Sequence, residues 1–161
     1  MENIEIRKVK ASDNLELATI IRTIFIEHNA PKEGTVYSDP TTDNLSKLFG
    51  TLNSELFVVL ENGEILGCCG IYPTKGLPEN CVEIVKFYIT KKGRGKGYGR
   101  QLYQACEKRA IELNYTQLYL ESTSEFAAAI GMYKKLGFMS QTQPLGQSGH
   151  FGCGLWFLKT L

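Results

Sequence analysis

The stretch "CVEIVKFYITKKGRGKGYGRQLYQACEKRAIELNY" (Cys81–Tyr115) decides the fold. It opens as an apolar strand, passes through four glycines between Gly93 and Arg100, and continues with helical spacing. Glycine loses more conformational entropy on folding than any other residue, so a plain solvated turn needs one or two, not four. Two nucleotide signatures are absent. There is no G-x-x-x-x-G-K-[ST], and Tyr98 and Arg100 stand where G-x-G-x-x-G requires its third glycine. What remains is a backbone cradle: successive N–H groups turned toward an anion, at the N-terminus of a helix that carries about half a positive charge. Arg94, Lys96 and Arg100 add full charges beside it. The pattern points to a pyrophosphate site.

The flanking segments alternate in kind. "IEIRKV" (Ile4–Val9) reads as a half-buried strand. A helix follows from about Asp13 to His28, with Leu17, Ile21, Ile24 and Phe25 on one face and Ser12 as N-cap. "NAPKEGTVYSDP" (Asn29–Pro40) is a loop, and Asp39-Pro40 caps a short helix bearing Leu45, Leu48 and Phe49. Strands Glu55–Glu61 and Glu64–Thr74 flank Asn62-Gly63, a hairpin signal, and Val82–Thr90 is the third of this group. After the glycine loop come a helix from Gly97 to Asn114, a strand Gln117–Ser122 and a helix Glu125–Leu136. Ser122 and Glu125 form a capping-box pattern for that last helix, and Gly137 follows it as C′. Strands Phe138–Thr142 and Phe151–Lys159 end the series. This predicts one mixed α/β domain over residues 1–161, antiparallel first, with strand–helix–strand units in the second half.

The totals exclude several classes. At 161 residues the chain can bury about two-thirds of its unfolded surface without disulfides or metals. A net charge of +1 provides no global field for nucleic acid or anionic membrane, so any anion site is local. Five cysteines, an odd number with no C-x-x-C pair, read as reduced thiols in a cytosol. The opening "MENIEIRKVK" lacks the apolar region of a signal peptide, and no apolar run approaches the roughly 18 residues of a membrane span. The expectation is a cytoplasmic protein.

"RGKGYG" (Arg94–Gly99) resembles the R/Q-x-x-G-x-G/A signature of the GNAT superfamily of acyl-CoA-dependent N-acyltransferases. "AAAIGMYKKLGF" (Ala127–Phe138) resembles that family's later A-x-x-x-Y-x-x-x-G-F signature. The order strand, two helices, three strands, helix, strand, helix, two strands is also the family's, so the resemblance covers nearly the whole chain. It implies a central, mostly antiparallel sheet flanked by helices, and acetyl-CoA as cosubstrate with no metal. The CoA pyrophosphate would sit on the backbone of Arg94, Gly95, Lys96, Gly97, Tyr98 and Gly99, with Arg100 beside it. The pantetheine arm would bond, strand-like, to Phe87, Tyr88 and Ile89, a mode available to any exposed strand edge. A homodimer is a further implication.

Transfer of an acyl group from a thioester to an amine needs a base, an oxyanion donor and a proton for the thiolate. Glu83 is the first candidate base. Strand alternation would set it on one face with Val85, Phe87 and Ile89, where desolvation raises a carboxyl pKa toward neutrality. Glu121, at the end of the next strand, is the second, and a water chain with no dedicated base is the third. The resemblance gives Tyr133 the role of general acid and places the oxyanion donor on a bulge N–H near Phe87–Ile89. The plainer reading of Tyr133 is core, since Phe126, Ile130 and Tyr133 recur at helical spacing. Gly131 beside it suggests a close approach to the helix backbone. Phe126 replaces an asparagine that helps to hold CoA in many relatives. The resemblance implies that two loops, Ala30–Pro40 and Pro144–Gly154, frame the acceptor, with Tyr37, Asp39, Ser148 and His150 as candidate contacts; each also has an ordinary structural reading. The acceptor is an amine of a small molecule or peptide, and the residues do not choose among amino acid, polyamine, other amine or protein N-terminus. A non-catalytic acyl-CoA-binding module is the alternative. A nucleic-acid domain is disfavoured because no basic face extends beyond Arg94–Arg100.

Overall fold

A computed structural model describes residues 1–161. Seven strands form one sheet, flanked by helices on both faces. In chain order the elements are β1 (Ile4–Lys8), α1 (Asn14–Glu27), α2 (Leu45–Leu48), β2 (Glu55–Glu61), β3 (Glu64–Tyr72), β4 (Cys81–Ile89), α3 (Tyr98–Glu112), β5 (Gln117–Ser122), α4 (Ala127–Lys135), β6 (Met139–Gln141) and β7 (Leu155–Thr160). Across the sheet the order is β1-β2-β3-β4-β5-β7-β6. Every neighbouring pair is antiparallel except β4 and β5.

Both faces of the centre are covered, which is why β2 and β3 read as near-continuous apolar runs. Leu56, Val58 and Leu60 of β2 pack with Leu17, Ile21 and Phe25 of α1 on one side. Val59 of β2, with Leu66 and Cys69 of β3, packs with Leu102, Tyr103 and Cys106 of α3 on the other. The β2–β3 hairpin turns at Asn62 (φ +52°) and Gly63 (φ +84°), the left-handed pair that the Asn-Gly signal implies. All five cysteines are free thiols, and no helix is long and apolar enough to cross a membrane.

Two caps differ from expectation. Ser12 lies inside a 3-10 turn (Ala11–Asp13), and Asp13 takes the N-cap position of α1. The Asp13 carboxylate is held by the Arg7 guanidinium at 2.8 and 3.0 Å and by the Lys10 N–H at 2.8 Å. The capping box of Ser122 and Glu125 does not form. α4 starts two residues later than predicted, with Phe126 at its N-cap and no side-chain cap. Phe126 is fixed instead by packing against Phe25 of α1 (centroids 5.3 Å apart) and His28 (5.2 Å). Asp39 caps as expected, accepting from Thr41 N–H at 2.9 Å, although the helix that Pro40 opens is a 3-10 turn.

The central correction concerns β4. Its register against β3 runs Tyr72↔Glu83, Ile71↔Ile84, Gly70↔Val85 and then Cys68↔Tyr88, so β4 carries one extra residue. That residue is at Lys86, whose φ of +54° is rare for a side chain with a Cβ. The bulge reverses the alternation. Phe87 and Ile89 join Val82 and Ile84 on the α3 side, while Val85 and Tyr88 pack on the α1 side. Glu83 therefore does not share a face with Phe87 and Ile89.

β4 and β5 pair only at Cys81↔Gln117, Val82↔Leu118 and Glu83↔Tyr119. Beyond Glu83 they part, and β5 continues with β7 alone. Gly67 lets β3 hold the outer half of β4 close: a Cβ there would lie 2.6 Å from Ile89 Cδ1 and 2.7 Å from Tyr88 O. Gly67→Ala should lower stability by about 1–3 kcal/mol, read as a lower urea midpoint at unchanged m-value.

Candidate active site

The parting of β4 and β5 opens a cleft of ≈ 460 Å³. At one end lie Gly93, Arg94, Gly95, Gly97, Tyr98, Gly99 and Arg100; at the other lie Glu83, Lys86, Glu121, His150 and Cys153. Phe87, Tyr88 and Ile89 line the passage between them, with Tyr133 and Phe126 opposite.

The glycine end has the geometry of a cradle. Gly95 (φ +78°) and Gly97 (φ +83°) occupy left-handed backbone, and Gly97 is the N-cap of the 15-residue α3. A Cβ at either would meet no atom within 4 Å, so these two glycines serve conformation and open space rather than packing. The basic residues divide. Arg94 Nη2 lies 2.8 Å from Glu27 Oε2, and its Nε donates to Ile89 O at 3.1 Å. Lys96 Nζ donates to Glu61 Oε1 at 2.7 Å, and the side chain does not line the cleft. Tyr98 OH donates to the same Glu61 oxygen at 2.5 Å. Arg100 lines the cleft and makes no ion pair, so it is the one uncommitted cation of the loop.

At the other end the carboxylates differ in their bonding. Glu121 is engaged at both oxygens: Oε2 accepts from Tyr119 OH at 2.7 Å and Oε1 from Ser148 OH at 2.5 Å. Glu83 is 3% exposed and accepts only from Thr74 OH, at 2.6 Å on Oε1, leaving Oε2 without a protein donor. Burial pushes its pKa up, Thr74 opposes and the Glu121 charge adds, leaving it at about 7. Asp39 stands behind His150, whose Nε2 is 2.7 Å from Asp39 Oδ2. Burial pushes Asp39 up, but the bonds from His150 and Thr41 outweigh it and hold the carboxyl at about 2.

Tyr133 is nearly buried, among Phe87 (6.0 Å), Phe138 (6.1 Å) and Phe157 (6.1 Å), and still lines the cleft. Burial raises its pKa, so it is protonated throughout the neutral range. Beside Gly131 a Cβ would meet no atom within 4 Å, so no part of this chain makes the close approach that the glycine suggested. Tyr37 is not in the cleft wall; the Lys32 ammonium sits 5.1 Å from its ring centroid and Phe25 packs against it. The sequence reading missed Lys86. Lys86 sits at the bulge and lines the same cleft as Glu83, a cleft that the parting of β4 and β5 opens to residues of both sheet faces. No group of three or more His, Cys, Asp or Glu side chains is placed to hold a metal ion.

The buried carboxyl gives a prediction whose sign is fixed. The folded state keeps a proton on Glu83 up to about pH 7, the unfolded chain only up to about 4.5. Stability from this group therefore falls as pH rises through that window, by about 1.4 kcal/mol per unit. Glu83→Gln should melt several degrees above the wild type at pH 8 and within a degree or two of it at pH 5, at about 2–4 °C per kcal/mol.

A model of the acetyltransferase (GNAT) family matches residues 21–138. A protein of Escherichia coli (strain K12), the uncharacterized N-acetyltransferase YjgM, is 31% identical over 156 residues, covering 96% of this chain and 93% of that one. The fold is shared with an acetyltransferase of the GNAT family from Staphylococcus aureus Mu50 (TM-score 0.86, 20% identity, 99% of each chain). It is also shared with the PaiA N-acetyltransferase from Thermoplasma acidophilum, solved in complex with coenzyme A (TM-score 0.77, 16% identity, 99% of each chain).

Proposed function

We propose a reaction for this chain from one premise: it belongs to the acetyltransferase (GNAT) family. The reaction is direct transfer of an acetyl group from the thioester of acetyl-CoA to a primary amine of a small molecule or peptide. One observation carries this reading. A single cleft runs from the glycine cradle at Gly93–Gly99, along the open edge of β4, to the carboxylates Glu83 and Glu121. The continuous seven-strand sheet supports taking residues 1–161 as one acyltransferase domain.

The chain's groups fit acetyl-CoA. The N–H groups from Gly93 to Gly99 and the α3 N-terminus would hold the pyrophosphate, with Arg100 beside them. The edge of β4 from Ile84 to Ile89, left unpaired where β5 departs, would bond the amides of the pantetheine arm. When bound, acetyl-CoA supplies an activated acyl carbon with a thiolate leaving group.

Glu83 is the general base. Its free Oε2 and a pKa near 7 suit it to accept a proton from an ammonium at neutral pH. Glu121, held at both oxygens by Tyr119 and Ser148, stands near Glu83 and raises its basicity. The backbone N–H groups at the β4 bulge are the oxyanion donors. The ammonium gives one proton to Glu83, the freed amine forms the C–N bond, the C–S bond breaks, and the second nitrogen proton passes to the departing thiolate, so that CoA leaves as the thiol. Tyr133 steadies the departing sulfur as a hydrogen-bond donor. Full proton transfer from so weak an acid to a thiolate of pKa about 8.5 would be uphill.

With acetyl-CoA and an amine panel, followed by release of CoA thiol, wild-type kcat/KM should rise with pH through a limb near 7. Glu83→Gln should lower kcat/KM by about 10²–10⁴-fold and remove that limb. Retention of the limb in Glu83→Gln would move the base to Glu121 or to a water chain.

A further inference from the structure

Lys86 stands apart from every other charged group at the acceptor end of the cleft. It is 5% exposed and lines the cavity, yet its ammonium makes no hydrogen bond or ion pair. Its neighbours are all satisfied in part or in full. Glu121 accepts from Tyr119 and Ser148, Glu83 from Thr74, and Asp39 is paired with His150 and accepts from Thr41. Cys153, also in the wall, is a neutral thiol, its pKa pushed up to about 12 by burial. The group left without a partner is thus a cation, and its complement is an anion.

We propose that Lys86 Nζ receives a carboxylate of the acceptor, which makes the acceptor a small amino acid-like molecule carrying an amine and a carboxylate together. This deepens the acetyl-transfer reading above and rests on it. The opposite charges match: Glu83 and Lys86 line one cleft, so the amine meets Glu83 while the carboxylate meets Lys86. A polyamine would bring only positive charge to Lys86, and a protein N-terminus carries no carboxylate beside its amine. The products are an N-acetyl amino acid and CoA. The acetyl C–S bond is replaced by a C–N bond, one ammonium proton leaves through Glu83, and the second goes to the thiolate, which departs as CoA thiol. Burial lowers the Lys86 pKa, while Asp39 and Glu83 oppose the loss of its charge, and a bound carboxylate opposes it further.

The same anion could enter on the acyl group, as in the half-acid thioester succinyl-CoA. The test therefore has two arms. In the first, kcat/KM with acetyl-CoA is compared for α- and ω-amino acids and their carboxamides. The amide's amine is the more easily deprotonated, so a preference for the acid must come from its carboxylate. Wild type should favour the acid by at least about tenfold for the best pair, a factor that one good charge-assisted contact can supply. Lys86→Met should bring that ratio close to one, and Lys86→Arg should keep most of it. Equal rates for acid and amide in the wild type, or an undiminished ratio in Lys86→Met, would overturn the proposal. In the second arm, Lys86-dependent preference for succinyl-CoA over acetyl-CoA, with acids no better than amides, would also overturn it and give the seat to the donor. Melting curves of the wild type and Lys86→Met with amino acids and CoA separate the two readings. Lys86-dependent stabilisation by acids without turnover of any amine keeps the carboxylate seat and rejects the transferase reaction. Turnover without acid preference does the reverse.

Discussion

One extra residue in β4 organises the rest of the molecule. Up to Glu83, three residues before the bulge at Lys86, β4 is an ordinary interior strand, paired to β3 on one side and β5 on the other. After it, β4 remains on β3 but has left β5, and its side chains have changed faces. A sheet interior normally offers no free hydrogen-bonding edge, because buried backbone groups must be paired. Here the free edge faces a cleft, which a ligand with its own amides can fill. The positive φ of Lys86 is the local cost of that opening, of the kind found where backbone geometry serves a site.

The two ends of the cleft solve opposite electrostatic problems. The glycine end uses backbone dipoles, with one uncommitted cation, because Arg94 and Lys96 are already bound to Glu27 and Glu61. Those pairs tie the loop to α1 and β2, so the basic residues act largely as anchors for its shape. The other end concentrates ionisable side chains away from water, where each must find a partner or shift its pKa. Glu83 shifts and stays weakly bonded, Asp39 and Glu121 are bonded, and Lys86 has no partner within the chain. A base near neutrality and an unpaired cation follow from the same burial.

Much of this was legible in the residues. Asn62-Gly63 marked its hairpin because few other pairs adopt two successive left-handed conformations. The glycine loop was legible as a special backbone because Gly95 and Gly97 take left-handed conformations that other residues rarely adopt. The bulge was expected near Phe87–Ile89 only through the family resemblance, and its place at Lys86 was not read, since "VEIVKFYI" passes for a regular strand by its residues alone. The pairing of Asp39 with His150 spans 111 residues between two loops, and no local pattern encodes such a contact. The α4 cap was misread because Phe126, a poor capping residue, is held by tertiary packing that outweighs local propensity.

The most direct measurement is a thermal melt with and without acetyl-CoA, on the wild type and on Gly97→Glu. A side chain at Gly97 meets open space, so the variant should fold at modest cost from its positive φ while setting a carboxylate in the cradle. At about 100 times Kd the ligand should add roughly 2.7 kcal/mol to the wild type, a rise of about 5–10 °C, and should leave the folded variant unmoved. No shift in the wild type, or equal shifts in the two folded proteins, would contradict the assignment of the glycine loop as the pyrophosphate site.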